Sequence, residues 1–209
     1  LGSDSEFDLN FEKGISDCYK ENPYMIDLAI SDISATRSRD SACKDWLSPF
    51  LYYKGFHALQ SYRIANWLWK KERSEYASFI QSKASKNFGI DIHPAAKINH
   101  SIMLDHGTGI VIGETSVVEE NVSIMQSVTL GGTGKETQDR HPKIGSGVLI
   151  GAGSKILGNI KIGKGSKVVA GSVVLSNIPP HSLVAGVPAT VIGKPNEEMP
   201  SLLMNQKPN

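Results

Sequence analysis

Cysteine is scarce, with only Cys18 and Cys43 in 209 residues. A disulfide-framed secreted domain would carry more of them at closer spacing, so reduced thiols and a cytoplasmic location are expected. Long hydrophobic runs are missing too. No apolar stretch approaches the ~18 residues of a membrane-spanning helix, and the opening LGSDSEFDLN is too polar for a secretory signal. Neither membrane insertion nor export is expected. An excess of one charge is also lacking, since 22 basic residues face 21 acidic ones and leave a net charge of +1. Such a balance supplies no field for nucleic acid or an anionic membrane. Any anion has to be bound by a local cluster. Because the chain opens on Leu1 rather than methionine, a trimmed or partial product is expected.

What is present divides into two periods. From Phe7 to about Phe88 the apolar residues recur at three and four positions, as in Ile26, Ala29, Ile30 and Ile33, and again through LYYKGFHALQSYRIANWLW. This spacing predicts about four helices. Pro23 and Pro49 fall where first turns begin, and Gly89 follows as a C-terminal stop. After Gly89 the aliphatic residues fall six apart, at Ile92, Ile98, Leu104 and Ile110, then from Ile112 to Leu130 after a two-residue shift, then from Ile144 to Val174. A six-residue repeat implies short strands joined by tight turns, three to each coil of a triangular prism. The shift is expected between Ile110 and Ile112.

Between Leu130 and Ile144 the rhythm breaks. Fourteen residues stand where six suffice, so GGTGKETQDRHP leaves the prism as an excursion of about eight extra residues. PPHSLVAGVPATVIGKP reads as a cap, and NEEMPSLLMNQKPN as a polar tail. The expected organisation is α+β: an all-helical domain over 1–89, a parallel β-helix over 90–195 and a tail over 196–209.

The blocks DIHPAAKI, MLDHGTGIVIGET, SVTLGGTGK, DRHPKIG, IGAGSKILGNI and VAGVPA, together with KGFHALQSYRIANWLW and RSRD, resemble the serine O-acetyltransferases from roughly Phe11 to Pro195. The resemblance implies a left-handed β-helix and trimers with active sites between neighbouring prisms, often with two trimers joined through the helical domains. It implies transfer of acetyl from acetyl-CoA to the hydroxyl of L-serine, giving O-acetyl-L-serine and CoA for cysteine biosynthesis, with L-cysteine as a feedback inhibitor.

A neutral alcohol is a poor nucleophile, so the reaction needs a base, and histidine suits the task. The resemblance makes His106 that base and Asp91 the carboxylate that orients it. Their fifteen-residue separation is close to one eighteen-residue coil, which lets adjacent coils bring them together. Read in isolation, Asp91 would only cap the β-helix and His106 would only fill a turn. The resemblance further assigns Arg140 and His141 to the serine carboxylate, as a forked guanidinium and a neighbouring donor. It assigns Asp105 and Asp40 to the ammonium, although Asp40 alone reads as a solvated helix-end acid. Ser41 stands where the family usually has proline, which affects the backbone beside Asp40. For acetyl-CoA it implies a groove lined by Gly132, Thr133, Ala152 and Ala170, with Lys194 near the phosphates. Direct transfer without an acyl-enzyme is expected, because neither cysteine matches a nucleophile position, and no metal is expected.

Other readings use the same residues. A hexapeptide-repeat acetyltransferase could act on another hydroxyl acceptor. A γ-type zinc carbonic anhydrase would recruit His100, His106 and His141, but it has no use for Asp91, Arg140 or GGTGK. A scaffold that binds O-acetylserine sulfhydrylase (cysteine synthase) would be expected to end in isoleucine, whereas this chain ends NQKPN. The remaining histidines, His57, His93 and His181, read as packing, turn and cap residues.

Overall fold

The computed structural model describes residues 5–134 and 137–207. Lys135 and Glu136 of the excursion, the first four residues, and Pro208 and Asn209 lie outside the described residues.

Among the described residues the first half forms five helices, where about four were expected: α1 (Ser5–Glu21), α2 (Tyr24–Arg39), α3 (Leu47–Tyr52), α4 (Lys54–Lys70) and α5 (Ser74–Phe88). Gly89 ends α5 at φ 66°, a left-handed conformation that suits glycine, and its N–H caps the carbonyl of Ser85. No described helix is long and apolar enough to cross a membrane.

Fifteen short strands follow among the described residues, and as far as β13 every third one joins the same sheet. The first face holds β1 (Asp91–Ile92), β4 (Val111–Ile112), β7 (Thr129–Gly131), β10 (Lys155–Leu157) and β13 (Val173–Val174). The second holds β2 (Lys97–Ile98), β5 (Val117–Val118), β8 (Lys143–Ile144) and β11 (Lys161–Ile162). The third holds β3 (Met103–Leu104), β6 (Ser123–Ile124), β9 (Leu149–Ile150), β12 (Lys167–Val168) and β14 (Leu183–Gly186), and it is closed by the antiparallel β15 (Ala189–Gly193). This is a left-handed β-helix of hexapeptide repeats. Its anchors stack inside, with Ile112, Ile124, Leu130, Ile144, Ile150, Ile156, Val168 and Val174 all essentially without exposure.

Strand register measures the insertions. An undisturbed coil takes eighteen residues, from Lys155 to Val173, and the coil containing the excursion takes twenty-six, from Thr129 to Lys155. The difference is the eight residues expected. The coil from Leu104 to Ile124 takes twenty. Its two extra residues do not lie between Ile110 and Ile112, as the repeat suggested. Asp91 N–H bonds the carbonyl of Ile110, and Val111 N–H that of Val128, so Ile110 stacks beneath Val128 just as Ile112 stacks beneath Leu130. The widening therefore falls between Leu104 and Ile110, in the turn that carries His106.

The helical cap meets the prism through Ala58, Leu59 and Tyr62 of α4, which join its apolar core, and through polar groups of α2 and α4. On α2 the buried residues include Asp32, Thr36 and Arg39. Asp32 takes two hydrogen bonds from Arg63 of α4, at 2.7 and 3.0 Å, and one from the N–H of Ile102 at 3.0 Å. The Arg63 guanidinium also reaches the carbonyl of Asn99 at 2.9 Å. Tyr62 donates to the carbonyl of Ala96 at 2.6 Å. The apolar stripe that the periodicity identified faces the other way. Ile26 and Ile30 remain 51% and 56% exposed and, with Ala29 and Ile33, line an open groove of about 570 Å³.

The tail is more ordered than its composition suggests. The short helix α6 (Pro200–Leu203) packs on the third face with Ser201 fully buried. Ser201 Oγ donates to the carbonyl of Asn121, and Ser123 Oγ donates to the carbonyl of Ser201 at 3.0 Å.

Candidate active site

One corner of the prism, between β3 and β4, carries His106. Its widened turn is built on left-handed backbone at His106 (φ 55°), Gly107 (φ 78°) and Gly109 (φ 76°). The turn is closed by hydrogen bonds from Gly107 N–H to the Asp105 carbonyl at 2.6 Å and from Gly109 N–H to the Gly89 carbonyl at 2.7 Å. The geometry turns the His106 side chain outward, 72% exposed, with Nε2 3.9 Å from Asp105 Oδ1. The start of α4 rests against this turn so closely that a Cβ on Gly55 would lie 2.0 Å from the carbonyl oxygen of Leu104. Lys54 Nζ donates to Thr108 Oγ1 from the same helix end.

Asp40 arrives at this corner from the C-terminal end of α2. Burial raises the Asp105 carboxyl above its usual range; the positive side of His106 opposes this and the charge of Asp40 adds to it. Asp40 is itself held by the Ala42 N–H at 2.8 Å and lies near the Tyr53 hydroxyl, which is pushed up to about 12 by burial first and by Asp40 and Cys43 next. Ser41 is exposed in a turn that closes with Cys43 N–H on the carbonyl of Asp40 at 3.1 Å. Asp40, Asp105 and His106 thus share one corner.

Asp91 begins β1, one coil away, opposite Val111. Its carboxylate accepts Gln81 Nε2 at 2.7 Å, and among the described residues it forms no hydrogen bond with His106. The coil spacing places the two at the same corner but does not join them in the free chain.

A second corner, between β7 and β8, carries the excursion. Arg140 Nη2 meets Glu114 Oε2 at 2.5 Å, and the same guanidinium donates to the carbonyl of Gln138 at 3.2 Å. The partnership with Arg140 lowers the Glu114 carboxyl below its usual range. His141 is buried, its ring lying on Gly113, where a Cβ would come within 2.0 Å of Cδ2 and Nε2. Burial, then the Arg140 charge beside it, lowers its affinity for a proton. Thr115 Oγ1 receives the N–H groups of both Arg140 and His141 at 3.0 Å. Lys143 Nζ ties the carbonyls of Thr115 and His141 together at 2.8 and 2.7 Å.

Glu114, Thr115 and Lys143 were not singled out from the sequence. Register could have found the first two. Val117 pairs with Lys143, so 114 and 115 lie opposite 140 and 141 once the excursion is placed in the second coil.

The proposed coenzyme residues divide between the same two corners. Ala152 and Ala170 stack under the His106 turn through Ser127 N–H on Thr108, Gly153 N–H on Gln126 and Gly171 N–H on Ala152. Gly132 and Thr133 form the foot of the excursion, Gly132 against the Arg140 stem and the Thr133 methyl against Gly158. Lys194 is exposed just past β15. His100, His106 and His141 lie on three different corners. Among the described residues no three His, Cys, Asp or Glu side chains form a metal-holding group.

Comparison with known proteins bears directly on these corners. Residues 3–61 match the family model for the serine acetyltransferase N-terminal region, and residues 141–176 match that for bacterial transferase hexapeptide repeats. The chain is 58% identical to the serine acetyltransferase of Salmonella typhimurium over 192 residues, covering 92% of this chain and 70% of that protein. The chain belongs to the serine acetyltransferase family. The Escherichia coli K12 serine acetyltransferase is 57% identical over the same span. Among solved serine acetyltransferases, that of Vibrio cholerae superposes with a TM-score of 0.92 at 55% identity, covering 93% of this chain and 76% of that one. A serine acetyltransferase complexed with cysteine gives 0.91 at 54% identity over the same shares. A complex with CoA gives 0.83 at 55%, covering 86% and 74%. The two corners carry different groups: an imidazole with two carboxylates at one, and a guanidinium with an imidazole at the other.

Proposed function

We propose that the chain transfers acetyl from acetyl-CoA to the hydroxyl of L-serine, giving O-acetyl-L-serine and CoA. The observation that carries this reading is the gathering of Asp40 and Asp105 around an outward-facing His106. An amino acid with a β-hydroxyl fits there, its ammonium between carboxylates and its hydroxyl toward the imidazole. His106 takes the hydroxyl proton as the oxygen attacks the thioester carbonyl. Collapse of the tetrahedral adduct breaks the carbon–sulfur bond, and the proton held by His106 goes to the departing thiolate. Asp91 stabilises the imidazolium once the ring turns from solvent toward β1 and the carboxylate exchanges its Gln81 partner. Arg140 and His141 hold the serine carboxylate, for which Arg140 exchanges its Glu114 partner. Gly132, Thr133, Ala152, Ala170 and Lys194 line the path of acetyl-CoA, and the CoA complex of a relative supports that co-substrate.

In this reading the two halves of the site come from different copies of the chain. A prism face separates the corners by about five extended residues, on the order of 15–20 Å. The charges that bear on Asp105, beside His106, are those of His106 and Asp40, and those that bear on His141 are Arg140, Glu114, Lys143 and His93, with none of these described residues common to both. The site therefore forms between copies, with the base corner of one prism against the excursion of the next, as a homotrimer provides. The exposed apolar residues of α2 and α3, among them Ile26, Ile30, Phe50 and Leu51, support pairing of two such trimers through their helices. L-Cysteine, which is serine with sulfur at the reacting atom, competes for the same groups, and the cysteine complex of a relative supports this.

The test is release of free CoA from acetyl-CoA in the presence of L-serine, against a panel of other hydroxyl acceptors. Serine-dependent release is expected. Equal turnover with a sugar acceptor would overturn the assignment.

A further inference from the structure

Thr115 occupies an unusual position among its hydrogen bonds. Its Oγ1 accepts the N–H of Arg140 and the N–H of His141, both at 3.0 Å. A hydroxyl has two acceptor lone pairs and one O–H, so with both lone pairs engaged only the donor is left. Within hydrogen-bond distance of it lies His141 Nδ1, at 2.9 Å, while the exposed Asp139 carboxylate stands on the other side of the hydroxyl as a second acceptor. The backbone N–H of Thr115 points at the same ring nitrogen, 3.2 Å away. A ring nitrogen that receives a backbone N–H carries a lone pair and no proton. A neutral imidazole has a single N–H, which must then sit on Nε2. Among the described residues Nε2 has no hydrogen-bond partner, while the other edge of the ring is held.

We propose that Thr115 is a positioning residue that fixes His141 in its Nε2–H tautomer, so that the imidazole stands ready as a donor to an incoming carboxylate. The opposite tautomer would aim a lone pair at the same anion. The inference rests on the reading of His141 as a carboxylate ligand. The surroundings favour the neutral ring it requires: burial first, then the cationic Arg140 and Lys143, with Glu114 opposing them and His93 adding to them. The backbone around the pair is fixed by Lys143, which bridges the carbonyls of Thr115 and His141. Gly113 leaves the space in which the ring lies.

Solid-state 15N spectra of the full chain labelled at histidine test this directly, with His141→Asn identifying the His141 signals. The expected spectrum shows His141 with a protonated Nε2 and a bare Nδ1, and a protonated Nδ1 would overturn the proposal. Thr115→Val removes the hydroxyl at nearly constant shape. It should mix the tautomers and raise the serine KM about tenfold with kcat little changed, and Thr115→Ser should restore both. An unchanged tautomer and KM in Thr115→Val would also overturn it. If Thr115→Val fails to fold, the wild-type spectrum and the Thr115→Ser variant still decide. An unaltered serine KM in His141→Asn would instead remove His141 as a carboxylate ligand, while the 15N spectrum would still show what Thr115 does to the ring.

Discussion

His106 and Arg140 leave the same prism at different corners, His106 from the widened turn between β3 and β4 and Arg140 from the excursion between β7 and β8. Each corner is well built on its own. The first is braced by the start of α4 and receives Asp40 from α2, and the second is pinned by Thr115 and Lys143. The first sets two carboxylates beside an imidazole, with Lys54 held on Thr108, and the second sets a guanidinium beside an imidazole.

Replacing the base should cost chemistry and little else. His106→Ala is expected to lower kcat by ~10²–10⁴, and because the side chain is 72% exposed in the single chain, light scattering should show unchanged assembly. Near-normal turnover in the folded variant would remove His106 from the reaction.

Gly113 has a different role, as the floor beneath His141. An added Cβ would fall 2.0 Å from the ring, so Gly113→Ala should displace the imidazole and raise the serine KM about tenfold or more while kcat changes less. An unchanged KM would place His141 off the substrate.

Serine affinity should fall on the acid side at a higher pH than an ordinary carboxylate would give. Below its pKa Asp105 is neutral and cannot pair with an ammonium, and burial, with Asp40 adding to it, raises that pKa. Calorimetric titration with L-serine in the absence of acetyl-CoA isolates binding from chemistry. In Asp40→Asn the loss of a like charge should move the acid limb of this binding to lower pH; a limb that stays in place would mean that the two carboxylates do not sense each other.

The Asp32–Arg63 pair fastens the helical cap to the prism. Asp32→Ala leaves a buried guanidinium without its counter-charge and should destabilise by about 3–5 kcal/mol, read as a lower urea midpoint. A loss within about 0.5 kcal/mol, typical of a neutral surface change, would show that the pair does not hold the cap.

Much of this fold is legible in the sequence because a solenoid turns a one-dimensional period into a position. The spacing of the aliphatic anchors identifies the strands, and the interval from Leu130 to Ile144 gives the length of the excursion directly. The same period misplaces the two extra residues. Ile110 and Ile112 are both buried, and an aliphatic residue two positions before an anchor looks like an anchor itself. On α2 the period finds the apolar stripe but not its surroundings. The face buried on the prism is polar, because Asp32 finds Arg63 and the Ile102 N–H there. At the site, Asp40 and Asp105 lie close enough to sense each other's charge, although they stand 65 positions apart in the sequence. The Glu114–Arg140 and Thr115–His141 pairs depend on cross-coil register, which appears only after the excursion is placed. Docking of the tail through Ser201 depends on two hydrogen bonds that composition does not reveal.

The central claim is that base and carboxylate clamp come from different copies, and complementation tests it most directly. His106→Ala and Arg140→Ala should each have low kcat/KM at limiting serine. Unfolded and refolded together in equal amounts, they should regain about a quarter of wild-type activity, the share of sites in a randomly mixed ring that pair an intact His106 with an intact Arg140. Activity no greater than the average of the two variants refolded separately would contradict a site shared between chains.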